Sequence, residues 1–311
     1  MSFSAKLAPA AITWLGSAFE NKTPLSPFTT IQVPGFTEED KKALMDQKVI
    51  DTTSAFTPEA YAVLSELASA KSFGSVRLNG SFGLIDKVVY FGDTFPVTVD
   101  NAGDSLVIST GQSREGFDEI LDEITGNSRL TNAVFEIEMG EKAALTLSSL
   151  LDLSRKSGLT AYAQNVEIRE AFSDSEILEF FNTAEGSRWI TGFLKRMPLE
   201  NGTLSASDVE ESLKSLESAN CIQRKDGTVR LIGDAATLAM NLLVIDQTVV
   251  CRVAQEHQGQ TVVSDALILQ AGLHDLLMID SGADGIGFSA LSTRTLRQFI
   301  TKIISEPPQL I

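Results

Sequence analysis

Asp104-Ser105-Leu106-Val107-Ile108-Ser109 recurs near the end of the chain as Asp284-Gly285-Ile286-Gly287-Phe288-Ser289. Each stretch begins with turn-forming residues and continues with apolar ones, which is typical of a strand that follows a hairpin turn. A second match, at a similar separation, links Val76-Arg77-Leu78 with Cys251-Arg252-Val253. Matches spread over this length predict a duplicated structural unit and not a short motif.

The duplication divides the chain into two copies and a connecting segment. Three further pairs extend it: Trp14 with Trp189, Val49-Ile50 with Cys221-Ile222, and Ser113-Arg114 with Thr293-Arg294. If short loop insertions are allowed, copy one covers residues 1–127 and copy two covers residues 172–311. The segment 128–171 has no counterpart, and its patterns predict a strand–helix–strand insert.

Local signals predict that helices precede strands in each copy. Thr37 with Asp40 and Ser205 with Asp208 have the spacing of capped helix starts, and Thr57-Pro58 is a cap followed by proline at the first helical position. Apolar spacing defines the other elements. The predicted helices are 9–19, 37–48, 57–68, 115–125, 141–156, 174–181, 188–195, 205–219, 235–243 and 293–304. The predicted strands are 75–78, 87–91, 95–99, 105–108, 133–139, 159–168, 248–255, 260–270, 275–280 and 285–289, and residues 225–231 are predicted to form a turn and a short strand. The predicted buried face of the third helix is Tyr61, Val63, Leu64, Leu67 and Ala68.

Helices grouped ahead of strands favour an α+β fold over a doubly wound parallel sheet. We therefore expect an internally duplicated α+β protein with pseudo-two-fold symmetry. In each copy, winged-helix-like helices precede an antiparallel sheet and a closing helix. The winged-helix pattern is clearest in copy two, where a helix end at Asn220-Cys221-Ile222 leads into Lys225-Asp226-Gly227-Thr228-Val229-Arg230-Leu231, a two-residue turn and a short strand.

The winged-helix pattern lacks the side chains that read DNA. A DNA reader needs arginine, lysine, asparagine or glutamine at the start of its recognition helix. The expected wing carries Arg224, Lys225 and Arg230, but the helix after it offers only Asn241. We expect the pattern to serve packing.

The charge balance also disfavours binding to nucleic acid. The 311 residues include 25 lysines and arginines against 41 acidic residues, for a net charge of −16. Binding to DNA or RNA needs basic residues that neutralise phosphates. An acidic surface is repelled by anionic membranes and attracts basic partners.

The chain is expected to be a cytoplasmic protein without a membrane span. No stretch has the roughly 20 apolar residues of a transmembrane helix. The apolar N-terminal segment is broken by Pro9 and Gly16, and no small-residue cleavage site follows it. Cys221 and Cys251 are predicted to be buried reduced thiols, and a disulfide between them is the alternative.

No reactive constellation stands out, so no catalytic, cofactor-binding or metal-ligating residue is predicted. The histidines are His257, expected at a hairpin tip, and His274, expected between strands. Neither has the spacing of a metal site. The glycine-rich stretch Gly282-Ala283-Asp284-Gly285-Ile286-Gly287 is predicted to be a hairpin turn, because no strand-to-helix crossover follows it.

Two residue types recur in both copies and are expected to be structural. Ser109 and Ser289 end strands, and Arg114 and Arg294 lie in the first turn of the closing helices. Ser113 and Thr293 are the predicted N-caps of those helices. Because both copies keep these residues, a role in the fold is favoured over a site. Adjacent acids such as Glu38-Glu39-Asp40, and Glu136 with Glu138, are predicted to be solvated.

The order of these elements resembles the EspG-type chaperones associated with type VII (ESX) secretion. The residues that carry the resemblance are Trp14-Leu15-Gly16, Pro24, Phe36-Thr37-Glu38-Glu39, Lys48-Val49-Ile50-Asp51, Leu64 to Ala70, Leu216 to Gly227 and Thr248 to Val253. The resemblance covers most of the chain in layout and rests on no invariant motif. It implies a cytosolic protein that binds a secretion substrate through its sheet and helices and catalyses no reaction.

The sequence thus favours a non-enzymatic protein–protein binding scaffold with a chaperone-like role and no cofactor. The alternative is a winged-helix-derived transcriptional regulator or ligand-binding protein. An enzyme with carboxylate or serine/arginine chemistry has the least support. Repeated positions are apolar, cap and turn residues, so the insert 128–171 and the seam between the copies are the predicted places for function.

Overall fold

The computed structural model describes residues 3–80, 83–110, 121, 134–186, 188–197, 199, 202–272, 275–281 and 285–308. The chain is a mixture of helices and strands with a large antiparallel sheet, as expected for the α+β class. It divides into two compact units. The first comprises Met1–Leu121, Val249–Ser264 and Arg297–Ile311, and the second comprises Asp122–Thr248 and Asp265–Leu296.

The helices begin and end as follows. They are α1 (Pro9–Gly16), α2 (Pro27–Thr30), α3 (Glu38–Asp46), α4 (Pro58–Ala68), α5 (Glu141–Gln164), α6 (Asp174–Thr183), α7 (Ile190–Leu194), α8 (Ala206–Ser218), α9 (Gly233–Asn241) and α10 (Thr293–Ser305). The strands are β1 (Ser4–Leu7), β2 (Ser72–Gly80), β3 (Gly83–Phe91), β4 (Pro96–Asn101), β5 (Leu106–Thr110), β6 (Glu136–Met139), β7 (Ala171–Phe172), β8 (Ile222–Lys225), β9 (Thr228–Leu231), β10 (Gln247–His257), β11 (Gln260–Ala271), β12 (Asp275–Ser281) and β13 (Ile286–Ala290).

In the first unit, helices pack on an antiparallel sheet with the order β1-β5-β4-β3-β2-β10. The strands β2 to β5 form a meander, and β1 pairs with its last strand so that Ala5 faces Ile108. The core between helices and sheet contains Leu15, Phe28, Leu44, Leu64, Leu67, Val97 and Ile108, all buried. A glycine is needed at position 74, because a Cβ there would lie 2.0 Å from the carbonyl oxygen of Ile303.

In the second unit, α5 is the central helix and packs against α6, α7, α8 and α9. A three-stranded sheet has the order β7-β9-β8, and the strands of the large sheet continue as β11-β12-β13-β6. The turn between β8 and β9 holds Asp226 and Gly227 at positive φ, 51° and 75°, as a two-residue hairpin of type I′ requires.

Capping chemistry explains why several helices begin where the sequence predicts. The side-chain oxygen of Thr37 accepts a hydrogen bond from the N–H of Asp40, and the carboxylate of Asp40 accepts one from the N–H of Thr37. Ser205 and Asp208 form the same capping box at α8. Thr57 accepts from the N–H of Ala60 ahead of Pro58. These three predicted starts are confirmed.

The predicted strand 159–168 is wrong, because α5 continues to Gln164. Arg155, Gly158 and Ala161 are buried at a spacing of three, which is a helical period. The alternation of Leu159, Ala161 and Ala163 with their neighbours resembles a strand and conceals that period. The helix ends at Asn165, which adopts the left-handed conformation with φ of 53°.

Other differences concern element ends and one buried face. The helix predicted at 9–19 stops at Gly16, the helix predicted at 188–195 spans only Ile190–Leu194, and the helix predicted at 235–243 spans Gly233–Asn241. The short elements β1, α2 and β7 were not predicted. Tyr61, predicted to be buried, is 56% exposed and stacks on Phe19. The predicted helix 115–125 falls outside the described residues except for Leu121, which is helical.

Candidate protein-binding surface

The residues considered as reactive from the sequence do not form a described constellation. His257 is exposed at the end of β10, beside the Gln258-Gly259 turn. Ser109 and Ser289 lie within β5 and β13, where they pair with strand neighbours. His274, Arg114, Ser113 and residues 282–284 of the glycine-rich stretch lie outside the described residues, so their roles stay predictions.

Arg294 is exposed in the first turn of α10, and the cap of this helix differs from the prediction. Ser292, one residue before the predicted Thr293, accepts a hydrogen bond from the N–H of Thr295 at 3.0 Å. The carbonyl oxygen of Ser292 accepts from the N–H of Leu296 at 3.0 Å. The cap is therefore Ser292, because the chain turns into the helix one residue earlier.

Within the described part of the chain, no group of three or more histidine, cysteine or acidic side chains is placed to hold a metal ion. No helix in that part is long and apolar enough to cross a bilayer. Cys221 and Cys251 are free and buried, as predicted. Glu136 and Glu138 are exposed, also as predicted.

Two of the basic wing residues already have partners inside the chain. Arg224 forms an ion pair with Asp174 at 3.1 Å. Arg230 donates to the side-chain oxygen of Gln223 at 2.5 and 3.0 Å. The guanidinium groups of this hairpin therefore stabilise the second unit.

A buried polar network inside the second unit holds α5 against its neighbours. Asp152 and Arg155 form an ion pair on α5 with side chains 0% and 3% exposed. Asp152 also accepts hydrogen bonds from the backbone N–H and the hydroxyl of Thr191, both at 2.9 Å. Arg155 donates to the carbonyl oxygens of Arg188 and Leu242. The network thus joins α5 to α7 and to the end of α9.

Burial disfavours the charged forms of Asp152 and Arg155, and the attraction between the two side chains acts in the opposite direction. Desolvation raises the pKa of Asp152 from its ordinary value, whereas the charge of Arg155 and the hydrogen bonds from Thr191 lower it. Desolvation also lowers the pKa of Arg155. A guanidinium keeps its proton in proteins, so Arg155 remains a cation that fixes the position of Leu242.

Next to the Asp152–Arg155 network, exposed apolar side chains lie on the C-terminal half of α5 and at the end of α9. Gly158 allows the close approach of these helices, because a Cβ there would lie 2.8 Å from Cδ1 of Leu243 and 3.6 Å from Cε of Met240. Tyr162 lies one turn further along α5, on the same side as Gly158. Val244 follows Leu243 directly.

We call Tyr162, Met240, Leu243 and Val244 the Val244 surface. Tyr162 is 90% exposed, Val244 55% and Met240 42%, and Leu243 is half-buried. Single exposed apolar residues are normal on proteins, whereas several that lie around one helix contact, as at Gly158, are a candidate for a binding surface. A tyrosine and a methionine are also well suited to a protein interface, since one offers an amphipathic ring and the other a flexible thioether.

One local feature of the sequence points to this surface. Leu242-Leu243-Val244-Ile245 is a run of four apolar residues at a helix end, where only Leu242 is fully buried. Val244 and Ile245 lie outside both the predicted helix 235–243 and the predicted strand 248–255. Tyr162 gave no such signal, because it was assigned to a strand.

No family model matches the sequence, and no curated protein matches it. Among solved structures, the fold is similar to that of EspG5, the type VII secretion system chaperone of Mycobacterium tuberculosis, solved in complex with the PE25-PPE41 dimer. The TM-score is 0.52 at 8% identity, with 98% of this chain and 97% of that chain covered. At this identity the likeness shows a shared fold, in line with the layout that the sequence predicts.

Proposed function

We propose that this chain is a non-enzymatic protein-binding scaffold with a chaperone-like role in the cytoplasm. The observation that carries the proposal is the Val244 surface, an apolar group held in place by the buried Asp152–Arg155 network. The fold likeness to a secretion chaperone that was solved with a bound protein dimer supports it.

The Val244 surface would act by presenting preformed apolar contacts to a partner. Burial of apolar surface contributes about 25 cal/mol for each Å² removed from water. A few well-placed aromatic and aliphatic side chains can dominate the energy of an interface. Because Arg155 holds the carbonyl oxygen of Leu242, the backbone at the end of α9 loses little freedom when a partner binds.

Cross-linking in the native cell tests the proposal. The tagged wild-type chain is compared with Val244→Asp, which places a charge in the Val244 surface, and with Val33→Asp as a matched control. Val33 is a 42% exposed valine of the first unit. We expect one defined protein to be recovered with the wild type and with Val33→Asp and to be lost with Val244→Asp. Equal recovery with both variants would rule out this surface.

We also propose that the chain arose by internal duplication, with pseudo-two-fold symmetry and winged-helix-like helices in each copy. The matching backbone conformation just after α3 and just after α8 supports the duplication. Lys48 and Asn220 adopt the left-handed conformation with φ of 57° and 56°. The N–H of the next residue, Val49 or Cys221, then bonds to the carbonyl oxygen of Leu44 or Leu216.

The strand order also supports the duplication. It suggests that the second copy begins earlier than residue 172. Each meander is bordered by an earlier strand that pairs with its last member: β1 with β5, and β6 with β13. A helix follows directly in both cases, α1 after β1 and α5 after β6. The boundaries 1–127, 128–171 and 172–311 stay a proposal, and this correspondence favours a second copy that starts at β6.

A further inference from the structure

Beside the Val244 surface lies a group of hydrogen-bond acceptors at the end of β11 and the start of β12. The amide nitrogen of Asn241 donates to Oδ1 of Asp275 at 3.0 Å, and Asn241 follows Met240 in α9. The carboxylate of Asp246 accepts from the N–H of Gly272 at 2.7 Å. Gly272 follows Ala271, the cross-strand partner of Asp275, so both carboxylates lie at the same end of the sheet.

This group contains more hydrogen-bond acceptors than hydrogen-bond donors. Within the described residues, neither Asp246 nor Asp275 has a lysine, arginine or histidine nitrogen within 4.0 Å. Gln270 is 9% exposed, and its Nε2 donates to the carbonyl oxygen of Gly272, so its amide lies at this group. Its Oε1 is buried and has no donor among those residues.

A cation is the chemical group that fits this arrangement. Asp246 and Asp275 bring two carboxylates to one end of the sheet with no cation beside them among the described residues, and the Oε1 of Gln270 adds an acceptor without a donor, so a positive charge is attracted there. Hydrogen bonds from a cationic donor to a carboxylate are also stronger than those between neutral groups. The position of these acceptors indicates where such a cation would come from. Val244 lies two residues before Asp246, and Met240 lies next to Asn241, so a partner bound to the Val244 surface would bring its own cation close to them.

We propose that the Val244 surface and these acceptors form one docking site for a basic amphipathic segment of a partner protein. The apolar side chains of the segment cover Tyr162, Met240 and Val244, and a neighbouring lysine or arginine donates to Asp246 and Asp275. This inference rests on the proposed function and names the chemistry of the partner. The net charge of −16 would further attract such a segment.

Isothermal titration calorimetry with two synthetic helical peptides tests the site. The peptides share the same leucine positions and carry either lysine or glutamate at the polar positions. The test protein is the full chain with Asp246→Asn and Asp275→Asn, since asparagine can still accept the hydrogen bonds from Gly272 and Asn241. The matched control is the full chain with Asp226→Asn and Asp234→Asn, exposed residues of the same unit that give the same change in net charge.

We expect the lysine peptide to bind the wild type and the control equally and to bind the test variant about tenfold more weakly, as for two exposed ion pairs. Val244→Asp should weaken the binding as well. Equal binding to the test variant and the control would overturn the inference, as would equal binding of both peptides or no binding to the wild type. Should the test variant unfold early, the dependence of the wild-type affinity on salt replaces it, and a salt-independent affinity overturns the inference.

Two further outcomes separate this inference from the proposed function. If the test variant still captures the partner that Val244→Asp loses, the inference fails and the proposed function stands. If Ca²⁺ or Mg²⁺ raises the Tm of the wild type but not of the test variant, the acceptors form a metal site, and the inference is likewise overturned.

Discussion

At the residue scale, the Asp152–Arg155 pair is the interaction whose loss should cost most. Asp152→Ala leaves the Arg155 guanidinium buried without its counter-ion, which typically costs about 3–5 kcal/mol. Glu210→Ala breaks the exposed pair with Lys214, whose side chains are 57% and 66% exposed, and should cost less than about 1 kcal/mol. Urea unfolding of both variants measures the difference. Similar losses would contradict the structural role of the buried pair.

Acid should weaken the start of α6. Hydrogen bonds from Arg169, and then from Ser173, lower the pKa of Glu176 from 4.5 to about 2. Because the folded pKa lies below the unfolded one, the contribution to stability is complete above pH 4.5 and is lost as the pH falls towards 2. Water screens this pair, since the Arg169 side chain is 54% exposed, so the effect should be small.

The unfolding free energy as a function of pH measures this contribution. We expect the wild type to lose more stability than Glu176→Gln between pH 4.5 and pH 2. Glu179→Gln, on the same helix and exposed, serves as the control and should follow the wild type. Parallel curves for wild type and Glu176→Gln would contradict the lowered pKa.

Neither thiol should react while the protein is folded. Burial raises the pKa of Cys251 to about 12 and raises the pKa of Cys221 as well. The thiolate is the reactive form, and both sulfur atoms are shielded from reagent. A thiol reagent at pH 8 should detect no fast-reacting thiol in the native protein and both thiols in about 6 M guanidinium chloride, which unfolds it. A fast native reaction would show that one cysteine is accessible.

At the scale of elements, the start of α10 tests whether the helix is capped by Ser292, as in the structure, or by Thr293, as the sequence predicts. Ser292→Ala removes the acceptor of the Thr295 N–H and should cost about 1 kcal/mol. Thr293→Ala, at the position that the sequence predicts as the cap, should cost less. Thermal or urea unfolding of both variants decides between them, and a larger loss for Thr293→Ala would restore the original prediction.

The elements that were predicted well share one property, which is that their signals are local. The caps at Thr37, Thr57 and Ser205 join atoms three residues apart, and the turn at Asp226-Gly227 needs only its own residues. The strand predicted at 159–168 failed for the opposite reason. Residues 159–164 of it belong to α5, a helix that packs against α9 through Gly158, and such a contact with a distant segment has no signal in the local sequence.

At the scale of the whole molecule, the charge balance predicts that duplex DNA is not bound. With 41 acidic against 25 basic residues, few phosphates can be neutralised. We expect no shift of DNA mobility at about 50 mM salt, where electrostatic binding is strong. A shift that persists at about 200 mM salt would instead favour the winged-helix regulator, because specific contacts survive the loss of the electrostatic component.

For the candidate surface, the sequence offered only the apolar run at 242–245. The exposure of Tyr162 and Met240 depends on how α5 and α9 meet, and no pattern within either segment reveals that contact. The acceptor group was equally hidden. Asp246 and Asp275 are far apart along the chain. They come to the same end of the sheet because Asp246 is hydrogen-bonded to Gln270 and Gly272 at the end of β11, which pairs with β12.

The amino-acid sequence by itself determined the class of fold, the helix caps at Thr37, Thr57 and Ser205, the turn at Asp226-Gly227, the acidic charge and the burial of the cysteines. These follow from the preferences of single residues and from interactions over three or four positions. The tertiary structure decided which apolar side chains stay exposed on the Val244 surface, and it also decided the pairing of Asp152 with Thr191. Such outcomes depend on contacts between distant segments, and they are fixed only when the helices and strands pack together.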